Sequence, residues 1–238
     1  MRAVKWFVVL AFVLAAIPAA AQVDEKKINV NFGGGYTIAL SDVRDHLGDG
    51  YNVSLGMTFN FNKNFGVQVE YGFNGLGQKQ IDIPVCDTPG CPNPDDSPFY
   101  ADMNMQYLDF NLVLRGGGSG TVTPYAIVGV GYYYRPVKVT TPAVGYVPGY
   151  CDPFWYWCYP GGWVSYDKII GKRSTSDVGM TVGGGVSFSL GDAAALYFEV
   201  RYHYIWGPAY SETDPTTGKV YSGTANGQFV PIVIGIRF

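Results

Sequence analysis

The sequence is poor in charge: 15% of its 238 residues are Asp, Glu, Lys or Arg, against about 25% in an average globular domain. Lys and Arg number 16 and Asp and Glu 19, a net charge of −3, so the basic footprint of a nucleic-acid-binding protein is missing. Two His and four Cys leave little material for a metal centre. No G-x-G-x-x-G joins a strand to a helix, which removes support for a nucleotide cofactor. Beyond Ala21 no stretch stays apolar for the roughly 20 residues that a membrane-spanning helix needs. The chain has instead 32 Gly, with 47% hydrophobic and 16% aromatic residues. That balance is neither disordered nor typical of a soluble enzyme.

Residues 1–21 read as a secretory signal peptide. Arg2 and Lys5 precede an apolar stretch from Trp6 to Ile17, Pro18 breaks it, and Ala19-Ala20-Ala21 offers a small-residue cleavage site. A retained anchor is the alternative reading. Cleavage after Ala21 exports a mature domain of residues 22–238 into an oxidising compartment.

From Ile28 onward hydrophobicity alternates with period two, the mark of strands with one apolar and one small or polar face. Ile28, Val30, Phe32, Tyr36 and Ile38 are interleaved with Asn29, Asn31, Gly33 and Thr37. Tyr51 to Phe61 and Phe65 to Phe73 repeat the pattern across the turn Asn62-Lys63-Asn64. A fourth stretch, Asp102 to Arg115, changes phase: Met103, Met105 and Tyr107 alternate first, then Leu108, Phe110, Leu112 and Leu114. A bulge near Tyr107 would reconcile the two. Four more follow, at Tyr125–Tyr134, Val178–Leu190, Leu196–Trp206 and Val230–Phe238. The reading is all-β, with eight strands.

The apolar faces carry no Lys, Arg, Asp or Glu, while the opposite faces carry Gly, Asn, Ser, Thr and scattered charges. A soluble barrel, such as a lipocalin-like one, would bury a core of Asn and Gly, which packs and hydrogen-bonds poorly. Turned inside out, apolar side chains meet lipid and small polar ones fill the lumen. Closure also removes the sheet edges that hydrocarbon cannot solvate. Aromatics near strand ends suit interfacial belts, and connections alternate between short and long. The long ones are Ser41–Gly50, Leu76–Ala101, Arg135–Ser174 and Gly207–Gly227. This predicts an antiparallel transmembrane β-barrel with short periplasmic turns and long extracellular loops.

Three stretches carry a family resemblance. Thr123-Pro124-Tyr125 through Gly129-Val130-Gly131 resembles the Pro-Tyr…Gly-x-Gly strand of small outer-membrane barrels of the opacity-protein and outer membrane protein A type. Glu199-Val200-Arg201-Tyr202-His203 resembles the strand before their last. Val233 to Phe238, with Gly235, Ile236 and terminal Phe238, is similar to the signal read by the barrel-assembly machinery. The resemblance implies outer-membrane localisation, a setting of lipid and lipopolysaccharide, and help from periplasmic chaperones and the assembly machinery. The resemblance does not take in the peptidoglycan-binding domain of outer membrane protein A, so cell-wall tethering of that kind is not implied.

Candidate functional residues form two groups. Glu70, Asp109, Glu199, Arg201, His203 and Arg237 fall on inward phases. They read either as a paired network filling a narrow lumen or as a pore lining. Catalysis lacks a Ser or Cys nucleophile near His203. The second group lies in the long loops. Cys86 and Cys91, and Cys151 and Cys158, each form a pair within one loop, and export favours disulfides over a four-thiolate zinc site. Local pairing is favoured by the Thr88-Pro89-Gly90 turn, although four cysteines allow three connectivities. Asp42, Asp45 and Asp49 read as a solvated acidic loop, with a divalent-cation site as the alternative. Phe154, Trp155, Tyr156, Trp157 and Trp163 are loop recognition candidates, facing an extracellular sugar, lipid headgroup or protein. The expected function is therefore a non-enzymatic surface barrel for envelope integrity and recognition through its loops. A narrow porin-like channel or carrier is the alternative.

Overall fold

The alternating stretches pair edge to edge into a closed ring. The computed structural model describes residues 27–81, 98–116, 121–153, 157–191, 194–213 and 220–238. Its elements in chain order are β1 (Ile28–Ala39), α1 (Asp42–His46), β2 (Gly50–Asn60), β3 (Phe65–Ile81), β4 (Phe99–Arg115) and β5 (Val122–Val147). There follow β6 (Tyr150–Cys151), β7 (Cys158–Tyr159), β8 (Gly162–Ser189), β9 (Ala195–Trp206), β10 (Ala209–Thr213), β11 (Val220–Thr224) and β12 (Gly227–Arg237). Eight of the strands close an antiparallel barrel in the order β1-β12-β9-β8-β5-β4-β3-β2, while β6–β7 and β10–β11 are separate hairpins. Closure runs through Asn31↔Arg237 and Phe32↔Ile236. Phe238 adds backbone bonds in both directions with Val30.

The faces sort as an inverted protein. Phe110 is 52% exposed and Val130 62%, whereas their inward neighbours Asp109 and Asn111 are 0% and 1%. An apolar belt this exposed is soluble only in lipid, and closing the ring satisfies the backbone there. Short turns close one end. Asn62 Oδ1 accepts the backbone N–H groups of Asn64 and Phe65, and Gly191 turns at φ +117°, a left-handed conformation that suits glycine.

Two expectations about strand 4 and its neighbours are corrected. There is no bulge near Tyr107: β4 keeps one phase, with Ala101, Met103, Met105, Tyr107 and Asp109 all buried inward. The register shift falls in β3, between Leu76 and Lys79. The change of hydrophobic phase has a different cause. Above Leu108 the outward residues Gln106, Asn104 and Asp102 have left the lipid, so they are polar. The inward residues at that level pack an apolar core with Leu47, Leu76, Tyr133, Ile205 and Phe229. The lumen is therefore not polar throughout. Period-two hydrophobicity alone does not separate a side chain facing lipid from one facing a dry interior.

The second correction concerns loop lengths. Arg135–Ser174 is mostly strand: β5 and β8 run for 26 and 28 residues, far beyond the 9–11 or so that cross a bilayer. β4 leaves β5 at Tyr100↔Thr140 and β9 leaves β8 at Trp206↔Val178. The β5–β8 ladder continues to Val147↔Gly162, a two-stranded ribbon standing above the barrel. Likewise β3 continues to Ile81, β4 begins at Phe99, and β10 and β11 occupy much of Gly207–Gly227.

Candidate functional site

Inside the barrel, Arg201 of β9 reaches across the lumen to Glu70 of β3. Nη1 donates to Oε1 at 2.6 Å and Nη2 to Oε2 at 2.7 Å, the two-pronged geometry in which a guanidinium binds a carboxylate best. Its Nε donates to Glu199, two residues away on the same inward face. Gln68 and Tyr107 also donate to Glu70, at 3.1 and 3.3 Å. All three ionic side chains are nearly inaccessible, where an unpaired charge would be costly.

Beside this cluster, Thr181 donates to Asp109 Oδ2 at 2.8 Å, and Tyr133 OH lies 2.9 Å from His203 Nδ1. His203 Nδ1 is also 3.7 Å from Asp109 Oδ2. The Tyr107, Tyr133 and His203 rings pack with centroids 5.2–5.8 Å apart. Glycine makes this possible. A Cβ on Gly72 would overlap the Tyr107 ring, and one on Gly33 or Gly235 would overlap Tyr197.

Nearer the periplasmic end, Arg237 donates to Asn31 at 2.8 Å and lies over the Tyr125 and Tyr197 rings. Val113, Tyr125 and Ile127 form a second apolar cluster. At the opposite mouth Val43 and Leu47, in and next to α1, pack onto the apolar layer. Arg135 pairs with Asp177 at 2.5 Å and also donates to the Ala225 carbonyl. That contact ties the base of the ribbon to the β10–β11 hairpin.

All six inward charges expected from the sequence thus lie in the lumen. Glu70, Glu199 and Arg201 form one cluster, Asp109 and His203 a second, and Arg237 stands apart. Tyr107, Tyr133, Thr181 and the Arg135–Asp177 pair were missed. Shared parity with Asp109 on β4 would have signalled Tyr107. The imidazole of His203 turns one nitrogen to all of its polar neighbours. A nucleophile–base–acid relay uses both imidazole nitrogens, one toward each neighbour. Here Asp109, Thr181 and Tyr133 all face Nδ1, and the ring is fully buried.

The ribbon is different. Tyr146 and Trp163 oppose each other edge-on at 5.7 Å, and Tyr150 and Tyr159 stack at 5.1 Å. Cys151 and Cys158 are joined in a disulfide, the local pairing favoured for that loop. Trp157 is 66% exposed and Trp163 75%. Cys86, Cys91, Phe154, Trp155 and Tyr156 lie outside the described residues. Asp42 and Asp45 lie in α1, and Asp49 accepts from Ala39 N and Tyr36 OH. Among the described residues no cluster of three or more His, Cys, Asp or Glu is placed to hold a metal.

The model of the outer membrane protein beta-barrel domain matches residues 7–229. The chain belongs to this family. It is an outer-membrane β-barrel, in contact with membrane lipid along its apolar belt. A major outer membrane protein from Thermus thermophilus shares the fold at TM-score 0.50 and 12% identity, over 89% of this chain and 98% of that one. Neisserial surface protein A aligns at TM-score 0.47 and 13% identity, over 89% and 96%. The Ail attachment invasion locus protein of Yersinia pestis aligns at TM-score 0.43 and 12% identity, over 90% and 100%. Among curated proteins none matches. At these identities the likeness is one of fold.

Proposed function

We propose that this outer-membrane barrel is a non-enzymatic surface protein whose wall anchors it and whose extracellular ribbon recognises a ligand. One contrast carries the reading: the lumen holds a buried apolar layer and a buried ionic cluster, while the ribbon lifts bulky aromatic side chains into solvent. A channel needs a continuous polar path. Here Met103, Met105, Tyr107, Tyr133, Ile205 and Phe229 cross the lumen as a buried apolar layer. The Arg201 cluster below it supports the same reading, since it joins opposite walls and stiffens the barrel. Residues 1–21 serve in this account as the cleaved export signal, and Gly235, Ile236 and Phe238 as the assembly signal.

At the ribbon tip the disulfide holds Tyr150 and Tyr159 in register, and Trp157 and Trp163 flank them. Aromatic rings give a large contact area with little rotamer entropy to lose, and an anchoring Trp commonly contributes about 2 kcal/mol or more. The test is the double replacement Trp157→Ala/Trp163→Ala in cells displaying the barrel. Adhesion to glycan-coated and matrix-coated surfaces should weaken about thirtyfold, the equivalent of about 2 kcal/mol. The heat-dependent gel mobility of the barrel should be unchanged. Unaltered adhesion with a protease-sensitive ribbon would reduce these aromatics to packing.

A further inference from the structure

The ribbon also has a backbone edge that the aromatics do not explain. β8 loses β9 as a partner above Val178 and keeps only β5 from there to Gly162. Its other side, Gly162 to Asp177, has no strand partner among the described residues. At about 3.3 Å per residue that is an edge of some 50 Å. Such edges recruit further strands, and proteins usually blunt them with proline, bulges, brevity or charged side chains, which repel any strand of like charge. β5 carries Pro136 and Pro142 in its upper half, whereas β8 has no proline over its whole length. It has one bulged residue, Ile170, opposite the Val139–Thr140 step. Trp163, Val164, Tyr166, Ile169 and Ile170 are exposed and of high strand propensity.

Charge selects the occupant. Lys172 lies directly opposite Lys138, a like-charged pairing that costs stability unless an anion joins it. Asp102 opposes Lys138 from the other side, which leaves Lys172 uncompensated. Lys168 and Arg173 add two cations on the opposite face of the ribbon, Asp167 is the one carboxylate beside them on this edge, and Asp177 is held by Arg135. Among the described residues no ion pair reaches these three cations. We propose that the free edge of β8 binds an extended, acidic segment of a partner protein by strand addition. Backbone hydrogen bonds supply affinity, and Lys168, Lys172 and Arg173 supply selectivity. The proposal rests on the ribbon being the recognition element, but on its edge rather than its aromatic tip.

The experiment uses the full-length barrel in bilayer nanodiscs and a short synthetic peptide in which Glu-Glu pairs alternate with Val-Thr pairs, so that carboxylates fall on both faces of the strand. A second peptide is N-methylated at successive amides, which removes the donors along both edges and keeps every side chain. The first peptide should bind and slow amide exchange between Gly162 and Asp177, and the N-methylated one should not. Lys172→Glu/Arg173→Glu should bind about tenfold more weakly with unchanged gel mobility, whereas Trp157→Ala, which lies outside β8, should bind the peptide normally. Failure of the edge is thereby separated from failure of the tip. Equal binding of both peptides, or protection outside Gly162–Asp177, overturns strand addition. Protection of that segment without peptide, caused by a second copy of the chain or by outer-leaflet glycolipid, overturns the proposed occupant.

Discussion

Replacing Arg201 with Met should cost about 3–5 kcal/mol of folding stability, the usual effect of stranding a buried charge by removing its partner. The guanidinium is the common partner of Glu70 and Glu199, so its loss leaves two carboxylates facing each other in a sealed lumen. Denaturant titration of the refolded barrel in detergent, followed by the mobility difference between heated and unheated samples, measures the change. The triple variant Glu70→Gln/Glu199→Gln/Arg201→Met should recover most of the loss, because a well-packed neutral set is commonly as stable as the buried ions it replaces. A barrel indifferent to Arg201→Met would mean that the network does not hold the walls together.

The second large effect belongs to the outer surface. Phe110 lies midway along the apolar band of β4, opposite Val69 and Val130. Phe110→Arg should destabilise the barrel in bilayers by about 2–4 kcal/mol, as a cation on the lipid face near the midplane does. The same change at Tyr146, on the ribbon, should cost less than about 0.5 kcal/mol, as surface substitutions do. Equal effects at the two positions would show that β4 does not face hydrocarbon. Both measurements need bilayers of defined composition, since the penalty depends on depth.

These two residues also mark how far the sequence could be read. Phe110 and Arg201 sit on opposite faces by parity alone, and alternation sufficed to assign them because the pleat turns successive side chains to opposite sides. That Arg201 meets Glu70, 131 residues away in sequence, was not legible, because parity assigns a face and not a height. In β4 the signal misled. Met103 and Met105 alternate as apolar residues just as Leu108 and Phe110 do, and only the barrel distinguishes a dry interior from lipid. At Arg135 and Ser174 the expected strands stopped too early. Apolar alternation ends where lipid ends, but the backbone ladder continues to Val147↔Gly162, since its hydrogen bonds do not depend on apolar side chains. The disulfide pairing of Cys151 with Cys158 was readable from their short separation. The bare edge of β8 was not, because it depends on where β9 ends.

The account divides the molecule into a filled lumen that holds the wall and an exterior that meets other molecules. Planar-bilayer recording of the intact, refolded barrel tests that division most directly, on protein whose folding is verified by heat-dependent mobility. The packed apolar layer and the Glu70–Arg201–Glu199 cluster predict no discrete current steps above the baseline of protein-free bilayers. Reproducible single-channel openings by the wild-type barrel would contradict the account and make the lumen, not the ribbon, the working part.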